Sequence, residues 1–577
     1  MRLKVSKSKN AASFYVIKSV YNPKTQSNTS KIVEKLGTEA ELRKKLEGRD
    51  PYEWANEYIA ELNQKEKVNK RKVIVECSQF KLIGKDTQHA FNGGYLFLQQ
   101  LYHQLGLHKI SKDITSRHKF TFDLNAILSR LVYGRILFPS SKLNTFEESK
   151  RLLEQPTFDL QHIYRALGII ADESDFIQAE LYKNSLSISK RNDHILYYDC
   201  TNYFFEIEQE DGLKQYGFSK EHKPNPIVEM GLFMDGDGIP LAFNIHSGNT
   251  NEQITLRPLE KQIIHDFKLS KFVVCTDAGL SSTDNRKFND IGGRSFITTQ
   301  SIKKLKKHLK DWALAPEGWI HSSSGKSFDI RRFDKDQRLY EAFKNVTFYK
   351  ERWIKEDGLE QKLIVTYSLK YRDYQQQIRT KQLERAVKLI SSNPKSIDKK
   401  RQNDYKRFIC ATKVTNDGEV AEKAVYNLDE KAIAKEAMYD GFYAVCTNLE
   451  EEASTIAKIN HQRWEIEECF RIMKSEFKAR PVFLRRDDRI KAHFTTCFLA
   501  LVLYRYLEKK LDNKFTTNEI INQLKDMNFH AIAGEGYMPI YTRTDFTDAL
   551  HEAFGFRTDY QIVSNREMKK IYKSTKK

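Results

Sequence analysis

HILYYDCTNYFFEIE at 194–208, VEMGLFMDGDGIPLAFNIHSGN at 228–249 and KFVVCTDAG at 271–279 decide the fold of this chain. The first is rich in β-branched and aromatic residues and reads as a strand. The second is a hairpin with Asp-Gly-Asp-Gly at its turn, where glycine supplies the positive φ that a tight reversal needs. A helix beginning near Glu252 separates it from the third, a short apolar strand. Three strands in meander, a crossover helix and a fourth buried strand give an α/β core.

Working outward, SFITTQ (295–300) continues the core, and the regularity breaks after it. Residues 301–436 carry lysine runs, short aromatic strands and a basic helix near 376–410, and are expected to form an insertion domain. YDGFYAVCTN (439–448) reads as a returning core strand and is followed by a helix at about 453–477. HFTTCFLALVLYRYLEKKL reads as a buried helix and KKIYKSTKK as a frayed basic tail. On the N-terminal side, 13–36 reads as a hairpin turning at NPKTQSN, followed by a charged helical stretch at 38–70. From 91 to 190 the pattern is helical, with Asp159 capping LQHIYRALGII, and the paired helices could form a helix-turn-helix. The expected divisions are 1–75 (hairpin and helix module), 76–190 (helical, DNA-binding), 191–300 (first part of the core) and 301–436 (insertion). The second part of the core occupies 437–510 and a C-terminal helical region 511–577.

Two acids stand out within the core strands. Asp199 lies mid-strand in YYDCTN, where a charge is costly to bury without a partner. Asp277 follows VVCT at the carboxyl end of a buried strand, the edge where α/β sheets present their sites, although turn or capping chemistry reads equally well there. A third candidate comes from Ile459–Lys474 (INHQRWEIEECFRIMK), which reads as an uninterrupted amphipathic helix. At about 100° per residue, Arg463, Glu467 and Lys474 fall within about 40° of one another. One carboxylate between two cations could hold a metal-binding acid beside a phosphodiester, and it could equally be a surface ion-pair stripe. Asp235 and Asp237 read as turn formers and Asp440 as a turn residue. Glu465 points elsewhere on the helix, and Glu468, about 100° from Glu467, is the competing acid.

The spacing R-x3-E-x6-K resembles the signature of DDE transposases of bacterial insertion sequences, in the group marked by Y-x2-R-x3-E-x6-K (the insertion-sequence-four family). Arg463, Glu467 and Lys474 match it, and Asn460 stands at the tyrosine position. YYDCTN and TDAGLSS resemble the motifs of the first and second acids. The order Asp199, Asp277, Glu467 fits a core interrupted between the second and third acids. The resemblance implies a ribonuclease H-like core with a strand-containing insertion and a mainly helical N-terminal region. It implies that Asp199, Asp277 and Glu467 are the catalytic metal ligands for two Mg²⁺ ions, with Mn²⁺ able to substitute, and that Arg463 and Lys474 contact the backbone of the transposon end. It also implies cut-and-paste transposition with recognition of terminal inverted repeats, cleavage through a hairpin end, joining of the 3′-OH ends to target DNA, and a homodimer in the synaptic complex. In such proteins an aromatic side chain in the insertion stacks on a flipped base, which makes Trp312, Trp319 and Trp353 candidates.

Composition agrees with a nucleic-acid partner. The 577 residues carry 96 Lys and Arg against 77 Asp and Glu, a net charge of +19, and the pI is near 9.2; such a surplus favours a polyanion. Lys303, Lys304, Lys306, Lys307 and Lys310 in IKKLKKHLK could follow phosphates; Lys303, Lys304 and Lys307 are the leading DNA contacts. The cysteines, Cys77, Cys200, Cys275, Cys410, Cys446, Cys469 and Cys497, show neither zinc spacing nor a disulfide framework. No apolar segment follows the basic N-terminus, and the apolar run at Phe494–Leu507 is too short to span a bilayer. A cytoplasmic, nucleoid-associated protein is expected. A metal-dependent nuclease of the same fold, and a non-catalytic DNA-binding protein derived from a transposase, remain open alternatives.

Overall fold

The computed structural model describes the chain except residues 9–10, 23–26, 47, 70–72, 74, 76–77, 81, 322–323, 393–403 and 415–419. The expected turn at 22–28, Cys77 and the end of the expected basic helix at 376–410 fall wholly or partly outside the described residues. The chain forms two compact units: residues 1–87 with 532–535, and residues 88–531 with 536–577.

The first unit is a three-stranded antiparallel sheet, β1 (Arg2–Ser8), β2 (Ala11–Asn22) and β3 (Ser27–Thr38), in that order. Helices Glu39–Lys45 and Pro51–Asn69 follow it. Thr38 caps the first helix in a reciprocal capping box with Glu41, which sets where the sheet ends and the helix starts. The expected hairpin at 13–36 matches β2 and β3. The basic N-terminus, which reads only as charge, supplies the extra strand β1 beside that hairpin.

The second unit is built on one mixed sheet of ten strands. They are β4 (Ile195–Phe204), β5 (Ile227–Asp235), β6 (Pro240–Ser247), β7 (Val273–Thr276), β8 (Ser295–Thr299), β9 (Trp319–His321), β10 (Ser327–Phe328), β11 (Thr347–Glu356), β12 (Leu359–Ser368) and β13 (Phe442–Thr447). Their spatial order is β10-β9-β11-β12-β13-β8-β7-β4-β5-β6. The meander β4–β5–β6 is antiparallel, and β7 and β8 run parallel to β4. Parallel strands need a crossover, and helix Leu256–Gln262 provides the first.

Both faces of this sheet are covered, as a mixed sheet with buried central strands requires. On one face Leu196, Tyr198, Phe233 and Val274 pack with Leu256, Leu259 and Ile263 of the crossover. On the other, Tyr197, Tyr203, Met230 and Phe243 meet helix Asp487–Lys510. That helix is apolar around most of its circumference and is surrounded by helices Tyr95–Gln104, Leu124–Leu137 and Leu160–Asp172. The helices expected to form a separate DNA-binding region at 76–190 therefore spend Leu128, Val132, Ile163 and Leu167 on the shared core. No described helix is long and apolar enough to cross a membrane.

The expected insertion at 301–436 is not set apart from the core. Its strands β9–β12 extend the same sheet, because β12 pairs with β13 along six residues, Lys362↔Thr447 to Tyr367↔Phe442. It does carry its own apolar cluster around Trp319, Phe333, Phe348 and Leu363. The expected frayed tail is helix Asn565–Ser574, anchored by buried Met568 and Ile571. Those apolar positions at helical spacing are hidden in the sequence among lysines.

Glu260 on the crossover helix shows what this packing costs. Its carboxyl is fully buried, accepts a 2.7 Å hydrogen bond from Asn289 Nδ2, and is pushed up to about 7 by burial. The folded state binds this proton more tightly than the unfolded chain, where a Glu titrates near 4.3. Its contribution is therefore fully present at low pH and is lost as pH rises toward 7. Glu260→Gln should stabilise the protein at pH 8 by about 1–3 kcal/mol, by the value of a unit of pKa shift, and should leave it unchanged at pH 4. Thermal denaturation at the two pH values checks this.

Candidate active site

The sheet register places the first two acids. β4 and β7 pair in parallel as Ile195↔Val273, Leu196↔Val274 and Tyr197↔Cys275. Two residues further along the same register stand Asp199 and Asp277, on strands about 4.8 Å apart. Alternation turns both toward the face of Tyr197 and Cys275. That face meets the helix Ala453–His461: Tyr197 Oη donates to the Ile459 carbonyl (2.9 Å) and Cys275 Sγ lies 3.6 Å from Asn460 Oδ1. Asp199 Oδ1 accepts from Cys200 N–H (2.8 Å), and Asp277 Oδ1 accepts from Gly279 and Leu280 N–H (2.9 and 3.1 Å). Asp277 thus shapes its own turn while standing beside Asp199. Burial pushes the Asp199 carboxyl up to about 6; Lys220 opposes the rise and Asp277 adds to it.

The expected continuous helix at 453–477 is broken. Ala453–His461 ends, and Trp464–Ser475 begins with Arg463 as its N-cap. Backbone bonds at the junction tighten to i→i+3, as in Arg463 N–H to the Asn460 carbonyl (3.3 Å). Gln462, at the break, accepts from Tyr197 Oη at 3.1 Å. Arg463 keeps helical dihedrals, so the i,i+4 relation survives: its Nη1 lies 3.6 Å from Glu467 Oε1. The side chain is 20% exposed, and burial opposes its charge while Tyr443, Asp199 and Asp277 hold its proton on. Glu467 is 62% exposed and faces Arg463.

Lys474 sits two turns on. Its Nζ donates to Thr201 Oγ1 (2.7 Å), lies 3.5 Å from Glu221 and stands over the Tyr203 ring. Burial lowers its ammonium to about 8. Asn460, at the signature's tyrosine position, is buried and donates to Tyr443 Oη (3.0 Å) on β13; that hydroxyl also shares a 2.7 Å bond with Thr299.

Three groups escaped the sequence reading. Lys220 donates to the Cys200 carbonyl (2.6 Å) and pairs with Glu252 (2.7 Å). Glu229, buried on β5, accepts from Asn202 (3.1 Å) and is pushed up to about 7 by burial. Glu221 joins Lys474 to Arg480. An acid within the apolar run VEMGLFMD was the available signal for Glu229. Trp464, beside Arg463, was also missed; it is 55% exposed.

Other candidates resolve into structural contacts. Asp235 is fully buried against Arg191 (2.6 Å) and accepts from Ile239 N–H in the turn, where Asp237 accepts from Asn192 N–H. Asp440 pairs with Arg379, Glu465 with Arg505 and Glu468 with Arg471. In IKKLKKHLK, Ile302, Leu305 and Leu309 are buried while Lys303, Lys304 and Lys307 are exposed; Lys303 stands over Tyr439, and no contact joins these lysines to the acids. Trp319 is fully buried with its Nε1 bonded to the Ala315 carbonyl (3.0 Å), and Trp312 is partly buried beside Arg352. Trp353 is exposed.

Among the described residues no three His, Cys, Asp or Glu side chains stand together closely enough to hold a metal ion. Asp199 and Asp277 nevertheless suit a hard cation: both are carboxylates, they stand beside each other in the register of adjacent strands, and the like charge of Asp277 adds to the rise that burial gives the Asp199 carboxyl.

A family model for the transposase DDE domain matches residues 204–503. This is more than half of the chain, and the protein belongs to the transposase DDE domain family. The match starts just after Asp199 and includes Asp277 and Glu467. No curated protein matches. Among solved structures, a cryo-EM structure of a piggyBac transposase synaptic complex with hairpin DNA is similar at 7% identity and a TM-score of 0.35, covering 76% of this chain and 82% of that one. A likeness of that size does not bear on the site.

Glu467 and Glu468 differ sharply in surroundings, one beside Arg463 and the other paired with Arg471. Glu467→Gln should lower Mg²⁺-dependent DNA cleavage about a thousandfold, or ~4 kcal/mol of barrier. Glu468→Gln breaks a largely surface ion pair and should change the rate less than about threefold. Single-turnover cleavage of the two variants checks the assignment.

Proposed function

We propose that this DNA transposase is the enzyme of an insertion sequence of the Y-x2-R-x3-E-x6-K group. In this reading it binds terminal inverted repeats, cuts at the element ends and joins the 3′-OH ends to target DNA. The observation that carries the reading is the shared register of Asp199 and Asp277 on adjacent parallel strands, with the charge of Arg463 felt at both. The core is read as ribonuclease H-like, with Glu467 as the third acid.

Asp199, Asp277 and Glu467 would hold two Mg²⁺ ions, which when bound would activate the attacking hydroxyl and stabilise the leaving oxygen of an in-line displacement. Arg463, beside Glu467, offsets the charge of Asp199 and Asp277 and would offer one contact to a backbone phosphate. Lys474, held by Thr201 and Glu221, offers a second backbone contact on the same stripe. Cleavage through hairpin ends, a synaptic homodimer and a cytoplasmic, nucleoid-associated location complete the reading. Trp353 and Trp464 are the exposed tryptophans able to stack on a base.

The reading is tested by incubating the chain with labelled element ends and a target plasmid in Mg²⁺. Joined product is expected. Cleavage without joining indicates a nuclease, and end binding with neither indicates a binding protein.

Lys474 also gives a pH signature. Its ammonium, lowered to about 8 by burial, loses its proton above that pH in the free protein. End binding should therefore weaken as pH rises from 7 to 9. Lys474→Arg should abolish this weakening, because a guanidinium keeps its charge. Lys474→Ala should flatten the log–log salt dependence by about 0.9, the value for one phosphate contact. Fluorescence anisotropy across pH and salt measures both.

A further inference from the structure

The small N-terminal sheet has two chemically different faces. Cross-strand partners share a face, so the pairing defines rows. Val5↔Phe14 and Leu3↔Val16 point one way, into a cluster with Leu42, Tyr52, Trp54 and Ala55 of the two helices that follow. Glu34, paired with Val16, lies on that covered face and accepts from Tyr58 Oη at 3.1 Å.

The opposite face is exposed along its two outer strands, while Ile17 on the middle strand is buried. One row reads Lys4↔Tyr15↔Lys35, the next Arg2↔Ile17↔Ile32, and a third contains Ser6↔Ser13. Arg2, Lys4, Ser6, Ile32 and Lys35 are exposed, and Arg2 Nη2 reaches across to Ser30 Oγ at 3.2 Å. No carboxylate stands in these rows. Cations, hydroxyls, one aromatic ring and one exposed aliphatic side chain are the groups that meet phosphates, base edges and thymine methyls.

We propose that this cationic face is a docking surface for duplex DNA and enters the major groove. Three strands about 4.8 Å apart span about 10 Å, which fits a groove about 12 Å wide. Arg2, Lys4 and Lys35 meet the phosphates at its walls, and Tyr15 and Ile32 point to the base edges. An acidic protein partner is disfavoured because the middle strand of the patch carries Ser13, Tyr15 and Ile17 rather than cations. The proposal rests on the transposase reading and adds to it the surface that grips the element end. It moves that task from the helices of 91–190, whose apolar faces are committed to the core, to the sheet.

The test uses the full-length chain, a fluorescein-labelled duplex from the element's terminus and a scrambled duplex of equal composition. Arg2→Gln/Lys4→Gln/Lys35→Gln removes charge from exposed positions and should preserve the thermal unfolding temperature. Its affinity for the end duplex should fall at least tenfold, and its log–log salt slope should lessen by about 2–3, near 0.9 per lost contact. Tyr15→Ala should narrow the preference for the end over the scrambled duplex. Unchanged affinity and salt slope in the triple variant, with wild type still binding and joining ends, would overturn the sheet proposal alone. A wild-type chain that binds neither duplex would remove the transposase reading and this surface with it. If the triple variant unfolds early, Lys4→Gln alone decides: a slope unchanged from wild type counts against the proposal.

Discussion

Two carboxylates on neighbouring parallel strands repel one another, and much of the second unit is arranged around that repulsion. The shared register of β4 and β7 sets Asp199 and Asp277 side by side. The free protein answers with cations. The charge of Arg463 is felt at both acids, and Lys220, bonded to the Cys200 carbonyl, offsets the charge of Asp199. Burial of like charges is costly unless it is paired, so an arrangement of this kind makes physical sense where a cationic ligand is to be bound.

The break between Ala453–His461 and Trp464–Ser475 belongs to the same arrangement. A straight helix would carry Arg463 on along one axis. The tightened junction, with Tyr197 bonded to Ile459 and Gln462, fixes the start of the second helix over the ends of β4 and β7. Helix Asp487–Lys510 backs this assembly from the apolar side, and the ten-stranded sheet gives it a rigid floor. Acids on strands and cations on a packed helix are held more firmly than loop residues could be.

The sequence made the core strands legible because β4 to β7 are short, largely apolar runs and β5 and β6 are joined by an Asp-Gly turn. It singled out Asp199 because a charge stands within an apolar strand there, and the structure sets it beside Asp277 in the register of the adjacent strand. What stayed hidden is of a different kind. β1 is encoded as RLKVSKS, whose charged alternate residues conceal the inward Leu3 and Val5. The insertion read as separate because its boundaries are lysine-rich, yet the Lys362–Tyr367 register with β13 is a long-range pairing that no local pattern reveals. The junction at Gln462–Arg463 carries no Gly or Pro and arises from a tertiary hydrogen bond. Glu229, Lys220 and Glu221 come together only through folding.

The central claim is that Asp199, Asp277 and Glu467 converge on divalent ions. The most direct measurement is anomalous diffraction from crystals of the protein bound to an element end and soaked in Mn²⁺. The account predicts manganese peaks within carboxylate ligand distance, about 2.0–2.2 Å for hard cations of this kind, of Asp199 and Asp277, with Glu467 completing the site. Manganese bound instead at Glu229 and Glu252, or no peak beside Asp199 and Asp277, would contradict it.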